Sequence, residues 1–236
     1  MELQGLNDYL IWKYDDKGQI ITDPAQGGFT YDGDKGKVYD PKTNQVIEGV
    51  FKIDLNSAKG ATQANITGLA ETVQRVYGSN FVAEINTGTA QPQAALAAND
   101  IPHIVSDTMI GLEKDDLGGY ARKGTGKPSQ GGLLVHSYNP WSHTDFYMGF
   151  PLGTFTAGEL NLQTNTENAT VVHDALTLAA QARGTDQLLY EKFYSDEPGF
   201  DYGKMVRFLT GQITTDATAN NKQATDTQGN PVEKKD

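Results

Sequence analysis

Four histidines, at positions 103, 136, 143 and 173, are the residues best suited by type to proton transfer or metal ligation. None has a partner at ligand spacing. The nearest approach is His136 and His143, which flank the run SYNPWS with Asp145 close by, yet a metal centre needs three or more converging ligands. They read as loop-packing or solvent-facing side chains. The acidic runs Asp15-Asp16 and Asp32–Asp34 look like fragments of a calcium loop but lack its full Asp-x-Asp-x-Asp-Gly…Glu register. Nucleophilic chemistry has no support either: there is no cysteine, no Gly-x-Ser-x-Gly elbow and no Ser-x-x-Lys in a convincing context. The stretch GTGKPSQGG at 124–132 lacks the phosphate-loop register and the following helix that would aim N–H groups at a phosphate, so it reads as a loop. With 30 acidic residues, chance carboxylate pairs are inevitable and carry no case for glycoside cleavage. Tyr138, Trp141, Phe146 and Tyr147 are suited to stacking on a sugar, but at alternating strand positions they read first as part core, part surface. No enzyme, cofactor or metal is expected.

Bulk composition points the same way. The net charge of -11 opposes any electrostatic grip on nucleic acid, which requires clustered Lys and Arg. The absence of cysteine removes a disulfide framework and is compatible with a reducing compartment. The N-terminal MELQGLNDYLIWKYDD has no basic stretch followed by an apolar run, and no window holds 18 apolar residues, so neither signal peptide nor membrane span is expected. The 236 residues with 26 glycines and a mean hydropathy of -0.51 suit one mainly β domain with long polar loops.

The elements follow from periodicity. Residues 6–14, with Tyr9, Leu10, Ile11 and Trp12, predict a strand. Residues 15–45 are dense in Asp, Gly, Lys and Pro and predict a long polar loop or arm. Alternation returns at Val50, with Phe51, Ile53 and Leu55 on one face and Lys52 and Asp54 on the other. Further strands are predicted at 63–69, 72–77, 81–87 and 93–98, with Gly78-Ser79-Asn80 as a hairpin turn. A helix is predicted over 101–112, with Asn99 or Asp100 as N-cap, Pro102 in its first turn and Gly111 at its end. Its apolar stripe is Ile101, Ile104, Val105, Met109 and Leu112. After a loop at 113–130, strands are expected at 132–138, 145–156, 159–163, 169–182 and 187–194. A short helix over 201–210 turns Met205, Val206, Phe208 and Leu209 inward. The domain thus spans 1–211, and the polar tail 212–236 reads as disordered.

An open, mostly antiparallel sheet has edges, and the strands at 169–182 and 187–194 carry little of the charge or proline that blunts them. Such edges favour assembly: a ring where the rotation closes, a filament where a second contact runs along the axis. The succession GATQANITGL, VYGSN, AANDIPHIVSDTMIG, DLGGYARKG and FPLGTFTAGELNLQTNTENATVVHDALTLAAQAR resembles the major tail (tail tube) proteins of long non-contractile-tailed bacteriophages of Gram-positive hosts. The likeness covers residues 50–211.

That resemblance implies a two-sheet β-sandwich flanked by the 101–112 helix. It also implies hexameric rings stacked into a tube through which DNA passes without specific binding. Residues 15–45 would reach a neighbouring ring. The implied partners are other copies of the chain, a tape measure protein, and distal tail and tail terminator proteins. The implied location is the virion tail, after assembly in the host cytoplasm. Lys52, Asp54, Glu84 and Asp174, opposite the expected core faces, become candidates for the lumen or the interfaces. The competing reading is a carbohydrate-binding β-sandwich of a phage tip or cell surface, resting on the four aromatics.

Overall fold

Alternation between apolar and polar side chains gives each strand a face to bury, and in the computed structural model these faces join through one sheet of eight strands. The structure describes residues 2–71, 73–78, 81–122, 124, 129–158 and 174–213. In chain order the elements are β1 (Gln4–Lys13), β2 (Val50–Ile53), α1 (Leu55–Ala58), β3 (Ala61–Thr67), β4 (Val73–Gly78), β5 (Phe81–Thr87) and β6 (Gln93–Ala98). They continue with α2 (His103–Met109), β7 (Glu113–Lys114), β8 (Tyr120–Ala121), β9 (Ser129–Asn139), β10 (Thr144–Ala157), β11 (Asp174–Gln181), β12 (Glu191–Tyr194) and α3 (Tyr202–Leu209). The sheet order is β2-β1-β9-β10-β11-β6-β3, with β12 paired to β10, and all its ladders are antiparallel. The pairs β4–β5 and β7–β8 form separate ribbons.

The predicted sandwich is built by folding this one sheet over. The first part of β10 lies between β9 and β12, and its last part lies between β9 and β11. The ladder to β9 shifts register between Phe150 and Gly153, around Pro151, which has no N–H to donate. The sheet bends there. Tyr9, Ile11, Phe51, Ile53, Leu133, Val135 and Phe150 from one layer therefore pack with Ala94, Leu96, Ala98, Leu176 and Leu178 from the other.

Helix α2, with Val105 and Met109, and Ile101 just before it close this core, the three falling at four-residue steps. Ile104, expected on the same stripe, lies to one side of it and is 40% exposed; Leu112 is half-buried. The N-terminal prediction is corrected: Pro102 itself is the N-cap, with no side-chain cap. Asn99 instead donates to the Lys59 carbonyl at 2.9 Å, and Asp100 pairs with Lys59 at 2.5 Å. At the other end Gly111 adopts a φ of 77°, allowing the Leu112 N–H to reach back to the Asp107 carbonyl at 2.9 Å.

Further corrections come from local competition. Leu55, predicted on the core face of a strand, is exposed because Asp54 stops β2 and starts α1, accepting N–H bonds from Asn56 and Ser57. Strand 169–182, predicted as an open edge, is interior over its described part, since β11 pairs with β10 and β6. The predicted strand 159–163, residues 169–173 and the tail beyond 213 lie outside the described residues.

The opposite face of β1, β2, β9 and β10 carries a second core of Leu10, Trp12, Val50, Leu134 and Tyr147. Two covers complete it. Helix α3 contributes Met205, Val206 and Leu209, while the long polar segment after β1 contributes Val38, and Ile47 follows just beyond it. The Asp201 carboxylate caps α3 by accepting the Lys204 N–H at 3.0 Å, and Arg183 donates to the Phe208 carbonyl at 2.8 Å. Segment and helix are joined by Arg207 and Asp40, 2.7 Å apart. The Arg207 hydrogen bond, helped by the Lys42 N–H, holds the Asp40 carboxyl down at about 2. A lowered folded value means that this contribution is complete above the ordinary value of 3.8 and is lost as pH falls toward about 2. Thermal melts across that acid range should therefore slope less steeply in Arg207→Met than in the wild type. Equal slopes would refute the coupling.

Candidate assembly surface

The ribbon β4–β5 places large apolar side chains in water. Val73, Val76, Tyr77, Phe81 and Ile85 are all exposed, Tyr77 by 65% and Phe81 by 78%. Both strands have the β-branched and aromatic residues that favour extended backbone, so the local sequence forms the ribbon without a core of its own. Its register pairs Arg75 with Ile85 and Val76 with Glu84, then shifts before Tyr77, a bulge that twists the ribbon toward its tip. A two-stranded ribbon is marginal alone in water, and exposed large apolar side chains are what interaction surfaces carry.

It springs from the end of the sheet that is open. Strand β3 pairs with β6 and, among the described residues, shows no strand on its outer side. Its sequence, ATQANIT, contains neither charge nor proline, so nothing in it discourages pairing with another chain. At the other end β2 is guarded: the Lys52 N–H donates to the Gly36 carbonyl at 2.8 Å. The small strand β12 is also an edge, and it carries Glu191 and Lys192.

The residues that suggested chemistry do not converge. Among the described residues no group of three or more His, Asp or Glu side chains is placed to hold a metal ion. Asp15 accepts the N–H groups of Lys17 and Gln19, and Asp32 and Asp34 pair with Lys35 and Lys37, so these acidic runs shape turns. His103 meets Tyr120 edge-on, His143 contacts the Tyr138 hydroxyl, and His173 lies outside the described residues. His136 is set between Asp8 and Asp145. The four aromatics are dispersed: Phe146 packs beside the first core against Tyr194, and Tyr147 is buried on the opposite face between His136 and Phe200. Only the turn residue Trp141 stands clear, 79% exposed. No stacking platform results.

A comparison with protein-family models supplies the decision: the model for phage tail tube protein matches residues 1–218. The chain belongs to the phage tail tube protein family. A search of curated proteins finds no match. As a tail tube protein it is a structural component of the virion tail that self-assembles into a tube with other tail proteins. No helix among its described residues is long and apolar enough to cross a membrane.

In this tail tube protein the four charged candidates are not equivalent. Lys52 is satisfied inside its own chain, 3.3 Å from Asp8 and 3.6 Å from Asp54. Asp54 is in addition the cap of α1. Glu84 stands exposed on β5, and Asp174 opens β11 opposite Ala98. The ribbon itself is readable as a hairpin from VYGSN; that Val73, Val76, Tyr77, Phe81 and Ile85 stay exposed among the described residues is not, since a period of two says which residues share a face but not what lies opposite.

Proposed function

We propose that the protein forms hexameric rings stacked into the tail tube of a long non-contractile-tailed phage of a Gram-positive host, and that genome DNA passes through the bore during ejection. The exposed apolar ribbon β4–β5 carries this reading. A second copy is the partner whose surface would bury it, and the unblunted edge of β3 beside it offers main-chain groups for sheet extension between copies. Tape measure, distal tail and tail terminator proteins are the remaining proposed partners, met in the host cytoplasm as the tail is built.

The bore must let phosphates slide rather than bind. A net charge of -11 supports that, because it withholds the cations whose counter-ion exchange drives DNA binding. Of the four charged candidates, Glu84 stands exposed on β5 and is available to the bore, while Lys52 and Asp54 already serve within the chain.

Negative-stain electron microscopy and light scattering over a concentration series test the reading. The expected result is hollow tubes whose end-on averages have six-fold symmetry, formed spontaneously or when tail-initiating proteins are added. A chain that stays monomeric at every concentration, with initiator present, would sink it.

A further inference from the structure

A row of alternating charge crosses four neighbouring strands on the face that carries the second core. It runs from Lys52 on β2 to Asp8 on β1, His136 on β9 and Asp145 on β10. One Asp8 oxygen, Oδ2, lies 3.3 Å from Lys52 Nζ and 3.2 Å from His136 Nδ1, and His136 Nε2 lies 3.1 Å from Asp145 Oδ1. Ionised carboxylates accept and do not donate, so the ring satisfies both neighbours only when both nitrogens carry hydrogen. The neutral ring, with one N–H, turns a lone pair toward one of the two carboxylates. One side of the ring is covered by Tyr147, with centroids 4.5 Å apart, and the side chain is 16% exposed, so water reaches it chiefly from the cavity that it lines.

The strand this row fastens is less regularly paired beyond it. The ladder between β1 and β9 is regular from Asp8 to Lys13, then breaks between Asp8 and Gln4. Gly5 takes a left-handed φ of 75°, and the bonds past the break include Ser137 Oγ donating to the Gly5 carbonyl at 2.7 Å. We propose that His136 is a proton-dependent clasp that holds the N-terminal end of β1, residues 4–8, against β9 and β10.

The groups that face this ring come from five places. Asp8 is on β1, Lys52 reaches it from β2 through Asp8, and Asp145 and Tyr147 are on β10. Tyr202 from α3 and Lys37 and Tyr39 from the 15–49 segment line the cavity of about 370 Å³ beside it. Burial opposes the ring's charge, but the two carboxylates outweigh it and raise its proton affinity above the ordinary 6.5. With the folded value raised, the clasp is complete below 6.5 and is lost as pH rises through the folded value.

The test combines two measurements on the full chain between about pH 5 and about pH 8. In a variant carrying His103→Gln, His143→Gln and His173→Gln, His136 is the sole histidine, so its ring resonances report its titration directly. Hydrogen exchange, corrected for the intrinsic effect of pH, follows the amides of residues 4–8 and 9–13 in the wild type and in His136→Gln. The expected midpoint lies above 6.5, with residues 4–8 losing protection at that same midpoint while 9–13 keep theirs. In His136→Gln residues 4–8 should be unprotected at every pH; if that variant does not fold, the contrast between the two segments in the wild type still decides. A midpoint at or below 6.5, or protection of residues 4–8 that does not change through the titration, overturns the proposal.

Discussion

Replacing Tyr77 and Phe81 together by aspartate is expected to leave a folded monomer that no longer makes tubes. Both residues are exposed on the ribbon β4–β5, outside both cores, so the single copy loses little. In an assembled contact, burying a large apolar side chain contributes about 1.5–3 kcal/mol, or roughly 3–6 kcal/mol for the two. At 1.4 kcal/mol per factor of ten, the concentration needed to assemble rises about 10²- to 10⁴-fold before the cost of burying two unpaired carboxylates is added. Sedimentation velocity and electron microscopy read the result directly, with circular dichroism as the check on folding. Tubes at wild-type concentration would show that the ribbon is not part of the contact.

The second large effect is on folding. Trp12→Ala should lower stability by about 3–5 kcal/mol, a cost measured for aromatic truncations in closed cores. Trp12 is fully buried; its indole N–H donates to the Tyr14 hydroxyl at 2.8 Å, which in turn donates to the Pro151 carbonyl at 2.9 Å. The fit is tight. A Cβ on Gly132 would lie 2.3 Å from the Trp12 ring, so the cross-strand partner of this residue has to be glycine. Against a typical domain stability of about 5–15 kcal/mol, the loss takes a large share of the total. Trp141→Ala is the internal control, expected within about 0.5 kcal/mol of the wild type because that side chain stands in solvent. Urea denaturation measures both, and equal midpoints for the two variants would contradict the placement of Trp12.

The strands were legible where alternation was clean. Val50 to Ile53 and the runs 81–87 and 93–98 were all anticipated, because a period of two is a local property of the chain. What the sequence left unread depended on distant partners. Val38 and Ile47 stand as isolated apolar residues in a polar text, and only the arrival of α3 and the back of β1 explains their burial. The Asp54 cap competes with strand continuation at a single residue, which moves Leu55 from an expected core position into solvent. The ribbon was half visible: VYGSN announced a hairpin, while the exposure of its apolar side chains among the described residues is a tertiary fact. His136 was noticed with Asp145 nearby, and the two do meet, but Asp8 lies 128 positions away and only strand pairing brings it to the ring.

Strand β10 belongs to both layers of the sandwich. A pull applied at the β3 border therefore travels through β6 and β11 into a covalent strand that continues into the opposite layer. Sliding one layer over the other requires rupture of backbone ladders as well as displacement of packed side chains. The chain is thus mechanically a single sheet bent at Pro151, its two layers joined by one continuous strand.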